Sequence, residues 1–267
     1  SLYWASDPSI SIRYYNDNAN ISLSYAVRHQ YLFQTGFSNI GLPSEFWISN
    51  DNKHKPPYAQ IVNLDCHIKI LGGRFLLSPM FFYRSLHHQL EYQGSVLDCL
   101  NSDYTLANEL CSENGYNYGA SLMVRKTVGK LTGWASYTYT HARRHMDDYG
   151  DGTFPASHER PHEFNMVASY VPNKHWSFGA TAVYASGTPY TRANSLYLLN
   201  NNIIMQYGKR NANRLKPYIR IDLSANYKWY GRKGFEQGVN FSVYNATCRE
   251  NEKLRSEERR VGKECRS

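Results

Sequence analysis

The 267-residue chain contains no run of about 18 apolar residues, and its mean hydropathy is −0.60. A transmembrane helix is thereby excluded, whereas a membrane β-barrel is not, since a barrel strand needs apolar residues only at alternate positions. Cysteine is scarce, with five in all, and no two have the CxxC spacing of a zinc site or redox motif. The sequence has no Gly-x-Ser-x-Gly elbow, phosphate-binding loop or zinc-hydrolase motif. Nothing pairs a nucleophile with a base, and the chain reads as a non-enzyme without cofactor or metal. The net charge of +8 comes from Lys and Arg scattered over loops and chain ends, which argues against a nucleic-acid partner.

Tyrosine is abundant, 23 residues against 11 Phe. Its apolar ring and polar tip suit a membrane interface. The segment Trp176–Ala185 shows how the rings are placed. Trp176, Phe178, Ala180, Ala182 and Tyr184 fall on one face, and Ser177, Gly179, Thr181 and Val183 on the other. Period-two alternation predicts a strand, and the turn Pro172–His175 joins it to Glu163–Tyr170 as a hairpin. Aromatic ends around a small apolar middle match a membrane-spanning β-strand.

The same rhythm runs along the chain. Strands are predicted at Ser9–Tyr15, Asn20–Gln30, Tyr58–Leu71, Arg74–Glu91, Tyr116–Val128 and Leu131–Ala142. After the central hairpin come Tyr218–Tyr230 and Gln237–Thr247. In the first of these, Ile219, Ile221, Leu223, Tyr227 and Trp229 oppose Arg220, Asp222 and Lys228. Pro79 predicts a bulge in the fourth strand, and Gly72-Gly73 a two-residue hairpin turn. The joins run short, long, short, long. Thr35–Pro57, Tyr92–Gly115, Arg143–Arg160 and Ser186–Pro217 are the long ones, and Leu196–Tyr207 is apolar enough to project as a small hairpin. A sandwich has no reason to put every long connection at one end; an outer-membrane barrel does. The fold expected is all-β, an antiparallel meander of about ten strands forming part of a transmembrane barrel. Trp176, Phe178, Tyr184, Ile219, Ile221, Leu223, Tyr227 and Trp229 are its expected membrane-facing residues.

Several clusters have bland readings. His141 and His145 lie four apart, a helical ligand spacing in a segment that reads as strand and loop. Asp147, Asp148 and Asp151 lack the full EF-hand ligand series. His87 and His88 point to opposite strand faces. A disulfide between Cys99 and Cys111 and two free thiols both remain open. Arg255–Ser267, RSEERRVGKECRS, matches a translated sequencing adapter. Residues 1–251 are expected to form the barrel portion, and 252–267 a non-native or disordered tail.

The run Phe154-Pro155-Ala156, then Glu159-Arg160-Pro161-His162, then Ser-Gly-x-Pro-Tyr-Thr at Ser186–Thr191, and finally Ser242-Val243-Tyr244-Asn245 resembles the late barrel strands of TonB-dependent outer-membrane receptors. The resemblance implies a C-terminal part of a 22-stranded plugged barrel, without plug, TonB-contacting segment or closing strand. It implies partners in outer-membrane lipid and, through the absent part, the TonB complex. It also implies import of a scarce ligand: a siderophore, a cobalamin-like cofactor or an oligosaccharide. Loop residues that combine rings with charge are the candidate ligand contacts: Trp47, Arg143, Arg144, His145, Tyr149, Arg192 and Tyr197. A passive porin or other barrel, and a secreted glycan-binding β-sandwich, are the alternatives.

Overall fold

The computed structural model describes residues 4–36, 45–49, 55–92, 110–146, 152–199, 202–231 and 235–252. Ten strands form one antiparallel meander: β1 (Ser9–Tyr15), β2 (Ala19–His29), β5 (Tyr58–Ile70), β6 (Phe75–Tyr92), β7 (Leu110–Lys126), β8 (Leu131–His145), β10 (His162–Tyr170), β11 (Trp176–Ala185), β16 (Tyr218–Tyr230) and β17 (Glu236–Val243). The short β9 (Thr153–Pro155) joins the sheet through β8. Three small pairs project from the long connections: β3 (Leu32–Gly36) with β4 (Glu45–Ser49), β12 (Pro189–Tyr190) with β15 (Asn213–Arg214), and β13 (Ala193–Leu199) with β14 (Asn202–Tyr207). Each of the nine strands after β1 pairs with its predecessor in the meander, so short turns gather at one end and long connections at the other. Among the described residues β1 and β17 do not pair, and the sheet is an open, unclosed wall.

The register sorts side chains by chemistry. One row runs Phe164, Tyr184, Ile219; another runs Ala168, Ala180, Leu223, Val243. The opposite face carries the row Thr138, Glu163, Ala185 and the row Thr181, Asp222. On the apolar face Trp176, Phe178, Tyr184, Leu223 and Tyr227 are exposed, and Ile219, Ile221 and Trp229 on the same face are half-buried. No second protein layer covers this face among the described residues, contrary to what a sandwich requires. The polar face repeats small and hydrogen-bonding side chains, such as Ser121 with Thr138 at 2.9 Å and Thr181 donating to Asp222 at 3.2 Å. An apolar outside and a polar inside are the two faces of a membrane barrel wall.

Four local expectations are corrected. The register passes unbroken through Pro79, paired with Leu122; the shift falls instead between Leu86 and Gln89, where His88 takes a positive φ of 54°. The β5–β6 turn spans residues 71–74, with Leu71, Gly72 and Gly73 all at positive φ, rather than two glycines. Leu110–Gly115 and Arg143–His145 extend β7 and β8, where loops were expected: Leu110–Glu113 pair with β6 alone, and Arg143–His145 with β7 on one side and β9 on the other, which satisfies their backbones. The stretch 35–57 holds the β3–β4 pair rather than loop alone. Residues 253–267, most of the expected tail, and Cys99 lie outside the described residues.

Candidate functional site

Nearly all the buried side chains lie at the long-connection end. Ala142, Met146, Phe154, Ala156, Ala185, Glu113, Arg144, Glu159 and Asn211 are buried there, while Ser78 is buried away from that end on the polar wall, bonded to His67 at 2.8 Å. A barrel wall has oil on one side and water on the other, so protein packs on protein only where connections fold back onto strand ends.

The connection after β8 does this first. β8 pairs with β10 up to Tyr139 and with β9 from Arg143. In the gap the Ala142 N–H donates to Glu159 Oε1 at 2.9 Å, and the Ala142 carbonyl accepts from Ala156 N–H at 3.0 Å. Glu159 is 1% exposed and ion-paired with Arg214. A buried carboxylate costs several kcal/mol in lost hydration unless charge and hydrogen bonds offset it. Both are present here, and His141 Nδ1 stands 3.7 Å from Oε1.

The connection after β11 supplies Arg214 and packs on the first. Arg214 Nη1 also donates to the carbonyls of Gly187 at 3.2 Å and Glu159 at 3.3 Å. Leu215 N–H donates to Thr188 O at 3.0 Å, and a Cβ at Gly187 would collide with the Leu215 carbonyl. Asn211 holds a left-handed φ of 51°, which Asn tolerates. Its N–H donates to Thr191 Oγ1 at 3.0 Å and its Nδ2 to Pro155 O at 2.8 Å. The Arg210 guanidinium lies 5.0 Å from the Phe154 ring centroid. The Ser186–Thr191 motif and the Glu159–His162 step thus form one interlocked base. Within the connection after β11, β13 and β14 pair as the small hairpin that the apolar stretch Leu196–Tyr207 predicts.

The sequence-derived ligand residues do not form one group. Arg144 is buried, with Nε 3.1 Å from Glu113 and Nη1 donating to Asn117 at 2.9 Å across Gly115; it braces the wall. Arg143 and His145 lie on β8, with Arg143 Nε donating to His141 Nε2 at 3.1 Å. Trp47 on β4 is 62% exposed, and Arg192 and Tyr197 are exposed beside and on β13. Tyr149, like Asp147, Asp148 and Asp151, lies outside the described residues. Glu159 and Arg214, 55 residues apart, were not singled out as a pair by their spacing.

No protein-family model and no curated protein matches the chain. Solved structures do. The ferric-catecholate import receptor Fiu of E. coli K12 aligns with a TM-score of 0.61 at 18% identity, over 91% of this chain and 31% of the receptor. The fold is that of part of a β-barrel wall. The outer-membrane ferripyoverdine receptor of Pseudomonas aeruginosa aligns at 0.57 and 15% identity, over 90% of this chain and 29% of its own. The FrpB iron transporter of Neisseria meningitidis aligns at 0.55 and 16%, over 90% of this chain and 34% of its own. The chain therefore spans about a third of the length of each barrel receptor it resembles.

Proposed function

We propose that this chain is part of the wall of an outer-membrane receptor of the TonB-dependent kind, a non-enzyme that imports a scarce ligand across a Gram-negative outer membrane. The observation that carries the reading is the segregation of every long connection to one end of a wall with an apolar outside and a polar inside. The barrel fold shared with an import receptor, a ferripyoverdine receptor and an iron transporter supports an iron chelate as the ligand, ahead of cobalamin-like compounds and oligosaccharides. Trp47, Arg192 and Tyr197 are the contacts best placed for it, exposed at the long-connection end. Arg143 and His145 belong to the rim beneath, and Arg144 to its support.

Expression in a Gram-negative host tests the membrane part. The chain is expected in the outer-membrane pellet with a heat-dependent gel mobility; recovery in the soluble fraction overturns it. Quenching of tryptophan fluorescence by ferric tris-catecholate, ferric tris-hydroxamate, cyanocobalamin and a malto-oligosaccharide tests the ligand class. Iron chelates are expected to quench, and Arg192→Ala with Tyr197→Ala to weaken them about tenfold, roughly 1.4 kcal/mol. Quenching by the sugar or the cobalamin alone sinks the iron reading.

A further inference from the structure

β17 stops at Val243, although its sequence predicts a strand to Thr247, and the stretch Tyr218–Asp222 of β16 has no strand on that side among the described residues. The reason lies in the alternation. Val239, Phe241 and Val243 continue the apolar face, and in an unbroken strand the next residues on it are Asn245, Thr247 and Arg249. Three polar side chains would then face oil, so the chain turns aside. Cys248 N–H closes the turn on the Asn245 carbonyl at 2.8 Å, with Asn245 and Cys248 left-handed at φ of 50° and 51°. Past the turn the chain returns to β16 out of step. The β16–β17 register would set Thr247 opposite Ile219; Asn251, four residues later, stands there instead.

What meets the edge there is mostly side chain. Alternate strand residues direct their N–H and C=O to the same side, and toward this edge they are Pro217, Ile219 and Ile221. The Asn251 carboxamide takes both groups of Ile219: Oδ1 accepts the N–H at 3.0 Å, and Nδ2 donates to the carbonyl at 3.0 Å. One side chain thus reproduces the donor and acceptor of a paired strand residue. Arg249 Nη2 donates to the Pro217 carbonyl at 3.1 Å, and the Ala246 N–H to the Ile221 carbonyl at 2.7 Å. Asn245 N–H donates to Asp222 Oδ1 at 2.8 Å, and Lys216 Nζ lies 3.2 Å from Glu252 Oε1. Asn245, Arg249, Asn251 and Glu252 are half-buried, whereas Thr247, Cys248 and Glu250 between them are exposed.

We propose that residues 245–252 form a strap that stands in for a strand on the upper edge of β16, with Asn251 as its latch. Open main chain at this edge costs hydration and offers a template to another chain. The strap closes it, and it moors Lys216 and Pro217 at the foot of the connection that carries Arg192 and Tyr197. Because its contacts are made one side chain at a time, the strap lifts as a local opening while β17 stays paired. The inference stands on these hydrogen bonds and not on the ligand reading.

The test is amide-resolved hydrogen exchange on the full 267-residue chain in detergent micelles. The Ile219 amide is expected to be protected in the wild-type chain. Asn251→Leu, close in volume but without polar atoms, is expected to speed its exchange roughly tenfold, about 1.4 kcal/mol, while amides of the β16–β17 ladder keep their protection. Asn251→Asp, which keeps the acceptor and drops the donor, is expected to give a smaller acceleration at pH 7. If Asn251→Leu does not fold, Asn251→Asp carries the comparison, with acceleration confined to Ile219 as the expected result. An unprotected Ile219 amide in the wild-type chain, or unchanged exchange in the variants, overturns the proposal. Equal acceleration along the whole β16–β17 ladder also overturns it, since Asn251 then supports the sheet at large and latches no strap.

Discussion

Arg214, on the return arm of the connection after β11, closes an ion pair with the buried carboxylate of Glu159 in the connection after β8. Two long connections are thereby tied to the Ala142 backbone at the rim. Removing Arg214 leaves a buried charge with one backbone donor and a histidine 3.7 Å away. Breaking such a pair from one side costs about 3–5 kcal/mol. Arg214→Ala is expected to speed hydrogen exchange at the Ala142 amide at least roughly a hundredfold while amides in the middle of β11 and β16 keep their protection. Unchanged exchange at Ala142 shows that the pair does not hold the connections together.

Gly115 is bare because Arg144 lies across it. A Cβ there meets Arg144 Cδ at 2.8 Å and comes closer still to the Arg143 carbonyl. Gly115→Ala must move the backbone or eject the Arg144 side chain from its pairing with Glu113. Overpacking of this kind costs about 1–3 kcal/mol. Gly152→Ala is an informative contrast, since its Cβ meets nothing within 4 Å and only its φ of 65° opposes the change. Urea titration of vesicle-embedded protein is expected to show the larger loss for Gly115→Ala; the reverse order removes Arg144 from its bracing role.

Asp7, just before β1, accepts hydrogen bonds from the ring Nδ1 and the backbone N–H of His29, at 2.7 and 3.0 Å. The His29 ring bond, chiefly, holds its carboxyl below the ordinary carboxylate value. A depressed folded pKa means that the contact contributes at full strength above the unfolded value, about 3.9, and is lost as pH falls through the folded one. The His29 amide is thus expected to stay protected at pH 5 and to loosen only below about pH 4. In Asp7→Asn that acid transition is expected to vanish. Loosening already between pH 7 and 5 assigns the contact to another group.

How far the sequence revealed this wall depends on what each strand borders. In β11 and β16 one side meets oil and the other water, so alternation from Trp176 to Ala185 and from Tyr218 to Tyr230 marks both strands to their observed ends. Above the membrane that contrast disappears. Cys111–Gly115 and Arg143–His145 have water or protein on both faces, and their strands continue through residues that read as loop. Pro79 breaks no register: the β6–β7 ladder runs through it, and the β5–β6 ladder skips the pairs opposite Ser78 and Pro79 and resumes in the same register; the irregularity sits at His87–His88, outside the apolar stretch. The rim core was illegible for another reason. Glu159 and Arg214 meet through two connections whose partners no local pattern records.

The assignment of faces can be tested at two neighbouring residues. Leu223 and Ser224 sit next to each other near the middle of β16, within one ladder: Leu223 pairs with Ala180 and Val243, Ser224 with Gly179 and Ser242. Leu223 is 47% exposed on the apolar face, whereas Ser224 points to the polar face that carries Asp222. An arginine at the bilayer midplane costs about 2–4 kcal/mol on the lipid side of a barrel strand. On the water side it needs only room for its side chain, and it gains a nearby carboxylate. Leu223→Arg is therefore expected to lower stability in vesicles by about that amount, and Ser224→Arg by well under half of it. In detergent micelles, which deform around a charge, the gap between the two is expected to shrink. Equal losses in vesicles mean that neither side of β16 meets hydrocarbon, and the barrel-wall reading then fails at its most regular strand.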